Sequence, residues 1–202
     1  MNTLAPINAV TVYASSSQAL HDEYYAAADH LGKVLAAADI SVVYGGCAIG
    51  LMGALASAAL RAGGEVHGII PEFLADIETG NLGLTSLEVV DDMRERKHRL
   101  LNRGQAVIAL PGGSGTFEEL FEAITLKRLG QYLGAIVLVN TRGYFNHCME
   151  LLDQSIRENF MDQRHSEMWA VVDRREDAVE ALENAPVWSA DAKQFAAVAA
   201  CK

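Results

Sequence analysis

The chain has 202 residues, 50% of them apolar, enough for one substantial core and a single domain over 1–202, with the core at about 8–184 and a tail at 185–202. Sixteen basic against 26 acidic residues leave a net charge of −10, which excludes sequence-independent binding to DNA or RNA but admits a small anion at a local basic cluster. No run approaches the roughly 18 apolar residues of a membrane span, and three cysteines in no metal-ligand spacing (Cys47, Cys148, Cys201) read as reduced thiols of a cytoplasmic protein.

Strand-like apolar runs alternate with helix-like stretches along the chain. A strand is predicted at 9–14, a helix at about 17–38, a strand at 40–44 and a helix at 50–62. A strand at 65–70 runs into a loop at 71–84, where turn-forming residues collect, and a strand at 86–90 follows. Next come a helix at 94–103, a strand at 106–110, a helix at 115–129, a strand at 135–139 and a helix at 144–159. A short strand at 169–172 and a helix at 175–184 complete the pattern. Several of these strands are continuous apolar runs, as in a parallel sheet covered on both faces. The expected fold is a doubly wound α/β sheet flanked by helices, with ligands at the C-terminal ends of the strands.

Residues 111–119 read Pro-Gly-Gly-Ser-Gly-Thr-Phe-Glu-Glu, directly after an apolar strand. Gly112, Gly113 and Gly115 let backbone N–H groups approach a ligand, and the helix start that follows offers unpaired donors with partial positive charge. That suits a phosphate. A carboxylate close by would be repelled by the ligand unless it had a task, so Glu118 or Glu119 is the suspect for chemistry. Phe117, Leu120, Phe121 and Ile124 form the expected buried stripe, with Glu119 nearly opposite and Glu118 to the side. Spacing alone leaves both as solvated acids that complement the helix dipole, and does not choose between them.

A second glycine turn, Gly45-Gly46 with Gly50 and Gly53, also lies between a strand and a helix. It is neither the dinucleotide fingerprint nor a P-loop, and alone it is only a tight turn. Two such turns side by side above a parallel sheet would enclose one nucleotide-sized ligand. Arg94, Arg96, Lys97, Arg99 and Arg103 put five of the 16 basic residues within ten positions. Each alone is a solvated helix residue; together they suit phosphate or carboxylate. Ser15 and Ser16, with Ser17, either cap the first helix or touch the ligand. The six histidines show no ligand pattern, so no metal site is expected.

The Pro-Gly-Gly-x-Gly-Thr-x-x-Glu run, followed back to Met93-x-x-Arg96-Lys97, resembles the signature pair of the Lonely Guy family. These are phosphoribohydrolases that release cytokinin bases and are often mislabelled lysine decarboxylases. The resemblance extends from Val10 to about Leu182. It implies a Rossmann-like fold, a homodimer or larger assembly, and no metal or organic cofactor. It implies Arg96 and Glu119 as the catalytic pair. Ser15, Ser16, Gly45, Gly46, Met93, Lys97, Gly112, Gly113, Ser114, Gly115 and Thr116 would contact the substrate. That substrate would be a purine nucleoside 5′-monophosphate, cytokinin-type or AMP, cleaved to free base and ribose 5-phosphate. Its phosphate would sit on residues 113–116 and its purine towards Ser15, Ser16 and Met93. The chain departs from the family's usual residues at Tyr13-Ala14 (Cys-Gly), Cys47 (Gly), Arg94 (His), Ser114 (Tyr) and Leu126 (Trp). Two rival readings stand beside this one: a non-catalytic nucleotide-binding or sensing protein, and an amino-acid decarboxylase, for which no lysine has an evident Schiff-base role.

Overall fold

The structure, a computed structural model, describes residues 6–78 and 83–198. Seven parallel strands form one sheet: β1 (Ala9–Tyr13), β2 (Ser41–Tyr44), β3 (Val66–Pro71), β4 (Ser86–Val90), β5 (Ala106–Ala109), β6 (Ile136–Val139) and β7 (Ala170–Val172). Their order is β4-β3-β2-β1-β5-β6-β7. The chain starts in the middle, builds to one edge, then returns beside β1 and builds to the other. The switch point therefore lies between β1 and β5, where Tyr13 pairs in register with Ala109. This is the doubly wound, Rossmann-like sheet that the apolar runs predict.

Helices cover both faces. On one lie α1 (Asp22–Ala37), α2 (Gly50–Arg61) and α7 (Ala178–Glu183), packed on Val10, Val12, Val42 and Val137. On the other lie α4 (Met93–Arg103), α5 (Ser114–Arg128) and α6 (Asn146–Arg157), packed on Tyr13, Val43, Val107 and Leu138. Strand positions alternate between the two cores, as the two-residue repeat of a strand requires.

Four expectations change. The stretch 71–84, read as a loop, contains the helix α3 (Glu72–Glu78), with an acid in its first turn; residues 79–82 lie outside the described residues. Helix α1 begins at Asp22 rather than near Ser17, capped by the His21 ring, which accepts from the Glu23 amide at 3.3 Å. The three serines are thus left outside the helix, above β1. The last predicted helix opens as a 3-10 turn (Arg175–Asp177) before α7. Packing also runs past residue 184: Trp188 and Ala192 join the α4–α6 core, and the Trp188 indole N–H donates to the Lys127 carbonyl at 2.8 Å.

Candidate active site

A cavity of about 360 Å³ opens above the C-terminal ends of β1 and β2 and the start of α5. Its walls are the end of β1 with Ser15, Ser16 and Ser17, then Gly45, Met52, Met93, Arg96, residues 113–116 and Glu119. Sequence reasoning set the two glycine turns side by side. They are instead separated by β1, and the serines fill the gap between them.

The two helix starts differ in what remains free. Neither Ile49 nor Gly113, the residues preceding α2 and α5, supplies a side-chain cap. At α2 the Ser15 carbonyl does so instead, accepting from Leu51 N at 2.9 Å and Met52 N at 3.3 Å. The donors of α2 are therefore spent within the fold. At α5 the first intrahelical bond is Phe117 N to Gly113 O, and among the described residues nothing caps the amides of Ser114, Gly115 and Thr116, which line the cavity. Only the second start is built to take an anion.

Arg96 is 7% exposed although it belongs to a charged run. Nε donates to the Ile69 carbonyl at 3.3 Å, Nη2 to Gly45 O at 3.2 Å, and Nη1 lies 3.6 Å from Met93 Sδ. Glycine at 45 leaves this position open, because a Cβ there would overlap Nη2 and push the guanidinium aside. Among the described residues no carboxylate lies within ion-pairing distance of this guanidinium. A fixed, buried cation thus faces the cavity with its charge uncompensated by a direct partner.

Across the cavity is Glu119. Its two acidic neighbours are spoken for: Lys97 Nζ lies 2.7 Å from Glu118 and 3.3 Å from Glu122. Glu119 has no such partner among the described residues and is the carboxylate that lines the cavity. Burial pushes its pKa up to about 7, against a smaller lowering by Arg96. Water still reaches it through the cavity mouth, so by area it is half-buried. The atoms crowded around the carboxylate set the direction of the shift. Expecting Glu119 to be solvated rested on the wrong stripe. The buried positions of α5 are Thr116, Leu120, Ala123, Ile124 and Lys127, and Glu119 flanks them.

The structure brings Ser15, Ser16, Gly45, Met93, Arg96, Gly113, Ser114, Gly115, Thr116 and Glu119 around one cavity. It leaves out three of the expected contacts. Lys97 is turned to α5, as above. Gly46, at φ +80°, packs beneath the turn against Ile70 and Leu87. Gly112 braces the turn: a Cβ there would overlap the Thr116 side chain, and its carbonyl accepts from the Tyr144 hydroxyl at 2.5 Å. Tyr13 and Met52 line the cavity without having been expected to. The signal for Tyr13 was its place as the last residue of a strand at the switch point.

Residues 52–182 match the family described as "Possible lysine decarboxylase". A cytokinin riboside 5′-monophosphate phosphoribohydrolase of Rhodococcoides fascians is 41% identical over 153 residues, covering 75% of this chain and 77% of that protein. The protein of that name from Arabidopsis thaliana, LOG3, is 36% identical over 174 residues, covering 86% and 81%. The chain belongs to the Lonely Guy (LOG) family. It is an enzyme, a phosphoribohydrolase. Solved structures share the fold alone: the molybdenum cofactor carrier protein of Chlamydomonas reinhardtii superposes with a TM-score of 0.67 at 19% identity, over 87% of this chain and 95% of that one. The molybdenum cofactor binding protein of Rippkaea orientalis gives 0.64 at 20% identity, over 85% and 93%. Among the described residues no lysine lines the cavity.

Proposed function

We propose that this enzyme hydrolyses the N-glycosidic bond of purine nucleoside 5′-monophosphates, the N6-substituted cytokinin type and AMP, to free base and ribose 5-phosphate. One observation carries the reading: the free α5 amides, the buried Arg96 and the lone Glu119 share a single cavity of nucleotide size. The 5′-phosphate sits on the amides of 114–116 and the Thr116 hydroxyl, which fixes the ribose against Glu119. As the bond to the base breaks, positive charge builds on the sugar, as in glycoside hydrolysis. The Glu119 carboxylate stabilises that charge and takes the proton of the attacking water. Arg96 holds the ribose hydroxyls or the carboxylate in place; it is too basic to be the general acid.

The N6-substituted substrate has support of its own. A smaller recess of about 240 Å³, walled by Leu20, Tyr24, Pro111 and Tyr144, adjoins the main cavity at Ser15, Ser17 and Gly113. An apolar group on the base would fill it. Assembly belongs to the same reading: the groove between α5 and α6, with Leu151 and Phe160 open to solvent and Phe121 partly so, favours a homodimer or larger oligomer, which light scattering would measure.

Incubation with AMP and with N6-isopentenyl-AMP is expected to release base and ribose 5-phosphate in equal amounts. Glu119→Gln should bind nucleotide without turning it over. Folded protein that releases neither product overturns the proposal, as does an intact activity in Glu119→Gln.

A further inference from the structure

The last side chain of β1 stands apart from its neighbours. Val12 and Ala14 belong to the α1–α2 core, whereas Tyr13 turns to the opposite face, among Leu100 of α4 and Leu120 of α5. That is the face on which Arg96 and Glu119 meet the cavity. In register across from it, Ala109 of β5 is small and leaves space for the ring. The ring is 4% exposed, yet Tyr13 lines the cavity. Tyr44 and Tyr132 seal their hydroxyls in the core without a partner; the Tyr13 hydroxyl makes no hydrogen bond among the described residues and opens to the cavity instead.

A buried carboxylate needs a donor, and among the described residues the Glu119 carboxylate accepts no hydrogen bond. Backbone carbonyls take two of the five Arg96 N–H groups and fix the guanidinium in place. Lys97 is bound to Glu118 and Glu122. The Tyr13 phenol is a buried donor with no partner among the described residues, in the cavity that Glu119 lines, and Glu119 influences it directly: Tyr13 is held protonated by burial first and by the Glu119 charge second.

Resting on the phosphoribohydrolase reading, we propose that Tyr13 is the positioning residue of Glu119. In the nucleotide complex its O–H donates to one carboxylate oxygen and leaves the other facing the sugar. The reaction then has one route for its proton. Water oxygen bonds to the anomeric carbon as the bond to the base breaks, the base nitrogen keeps the electron pair, and the water proton passes to the free oxygen of Glu119. Tyr13 keeps its own proton throughout. The charged and titratable groups around the pair are Arg96 and Lys97 from α4, Glu118 and Glu122 from α5, and Tyr132 beyond them.

Tyr13→Phe keeps the ring and deletes the donor. The expected result is a kcat about tenfold lower with KM unchanged, and an acid limb of kcat shifted up by about one pH unit, since the hydrogen bond favours the ionised carboxylate. A readout free of turnover accompanies it: the carboxyl ¹³C titration of Glu119 in protein saturated with ribose 5-phosphate, with Glu119→Gln identifying the signal. The midpoint is expected to rise in Tyr13→Phe. In wild-type protein the Tyr13 Cζ signal should follow the same titration and cease to do so in Glu119→Gln, a measurement that stands even if Tyr13→Phe does not fold. An unchanged midpoint, or a Tyr13 signal indifferent to Glu119, overturns the proposal. Wild-type protein that releases no base would overturn the proposed reaction instead, while the titration still decides the role of Tyr13.

Discussion

Gly45 and Arg96 determine each other's place: the Gly45 carbonyl accepts from Nη2 at 3.2 Å, and the missing Cβ is the space that nitrogen occupies. The turn after β2 therefore contributes to the site by seating an arginine on α4. Gly45→Ala forces the guanidinium away from its carbonyls. A displacement of about 1 Å at a catalytic group costs roughly 100-fold. Steady-state kinetics should show that loss in kcat/KM, with circular dichroism unchanged. An alanine variant with wild-type kinetics would mean that the guanidinium position is immaterial.

The shift of Glu119 fixes a pH dependence for both activity and stability. If the ionised carboxylate is the active form, kcat/KM should rise with pH to a plateau, half-maximal near the free-enzyme pKa of about 7. Stability moves the other way. The folded protein holds the proton up to about pH 7 while the unfolded chain releases it near 4.5, so between those values the folded state binds more protons and stability falls as pH rises. The total is about 3 kcal/mol at most. Denaturant unfolding at pH 5 and pH 8 should show Glu119→Gln gaining on the wild type at the higher pH. Equal differences at the two values would show that Glu119 titrates normally.

Lys97 acts from outside the cavity. By pairing with Glu118 and Glu122 it screens two carboxylates that flank the first turns of α5, and it also lowers the Glu119 pKa. Its own pKa is raised, mainly by the hydrogen bond to Glu118. In Lys97→Met the exposed phosphate end becomes more negative. KM for a nucleotide should increase several-fold, more at low than at high salt, and the kcat/KM acid limb should move upward. A KM that does not respond to ionic strength would point to a packing effect.

The strands were legible because continuous apolar runs such as residues 106–110 can form little else between turn residues, and they placed the cavity at the correct sheet edge. Helix α3 was hidden behind Pro71 and a run of turn-forming residues. The choice between Glu118 and Glu119 was closed to a helical wheel, since α5 buries the polar Thr116 and Lys127 while leaving Phe117 and Phe121 partly open. A buried lysine cannot be recognised without the Gly134 carbonyl that its ammonium reaches at 2.6 Å. Nor does any motif encode the Ser15 carbonyl closing α2, a contact to Leu51, 36 positions on, that decides which helix start is free.

The recess behind Gly112 should govern the choice of base. Leu20 forms one wall and Tyr144 another, and Tyr144 cannot be altered without releasing the Gly112 carbonyl. Leu20→Trp fills the recess and leaves the turn braced. One lost apolar contact of this size is worth about 1–3 kcal/mol, or roughly 10–200-fold in discrimination. The ratio of kcat/KM for N6-isopentenyl-AMP over AMP should fall by at least tenfold, through the prenylated substrate alone. If both substrates weaken together, the recess holds the turn rather than the base; if neither changes, the apolar group lies elsewhere in the cavity.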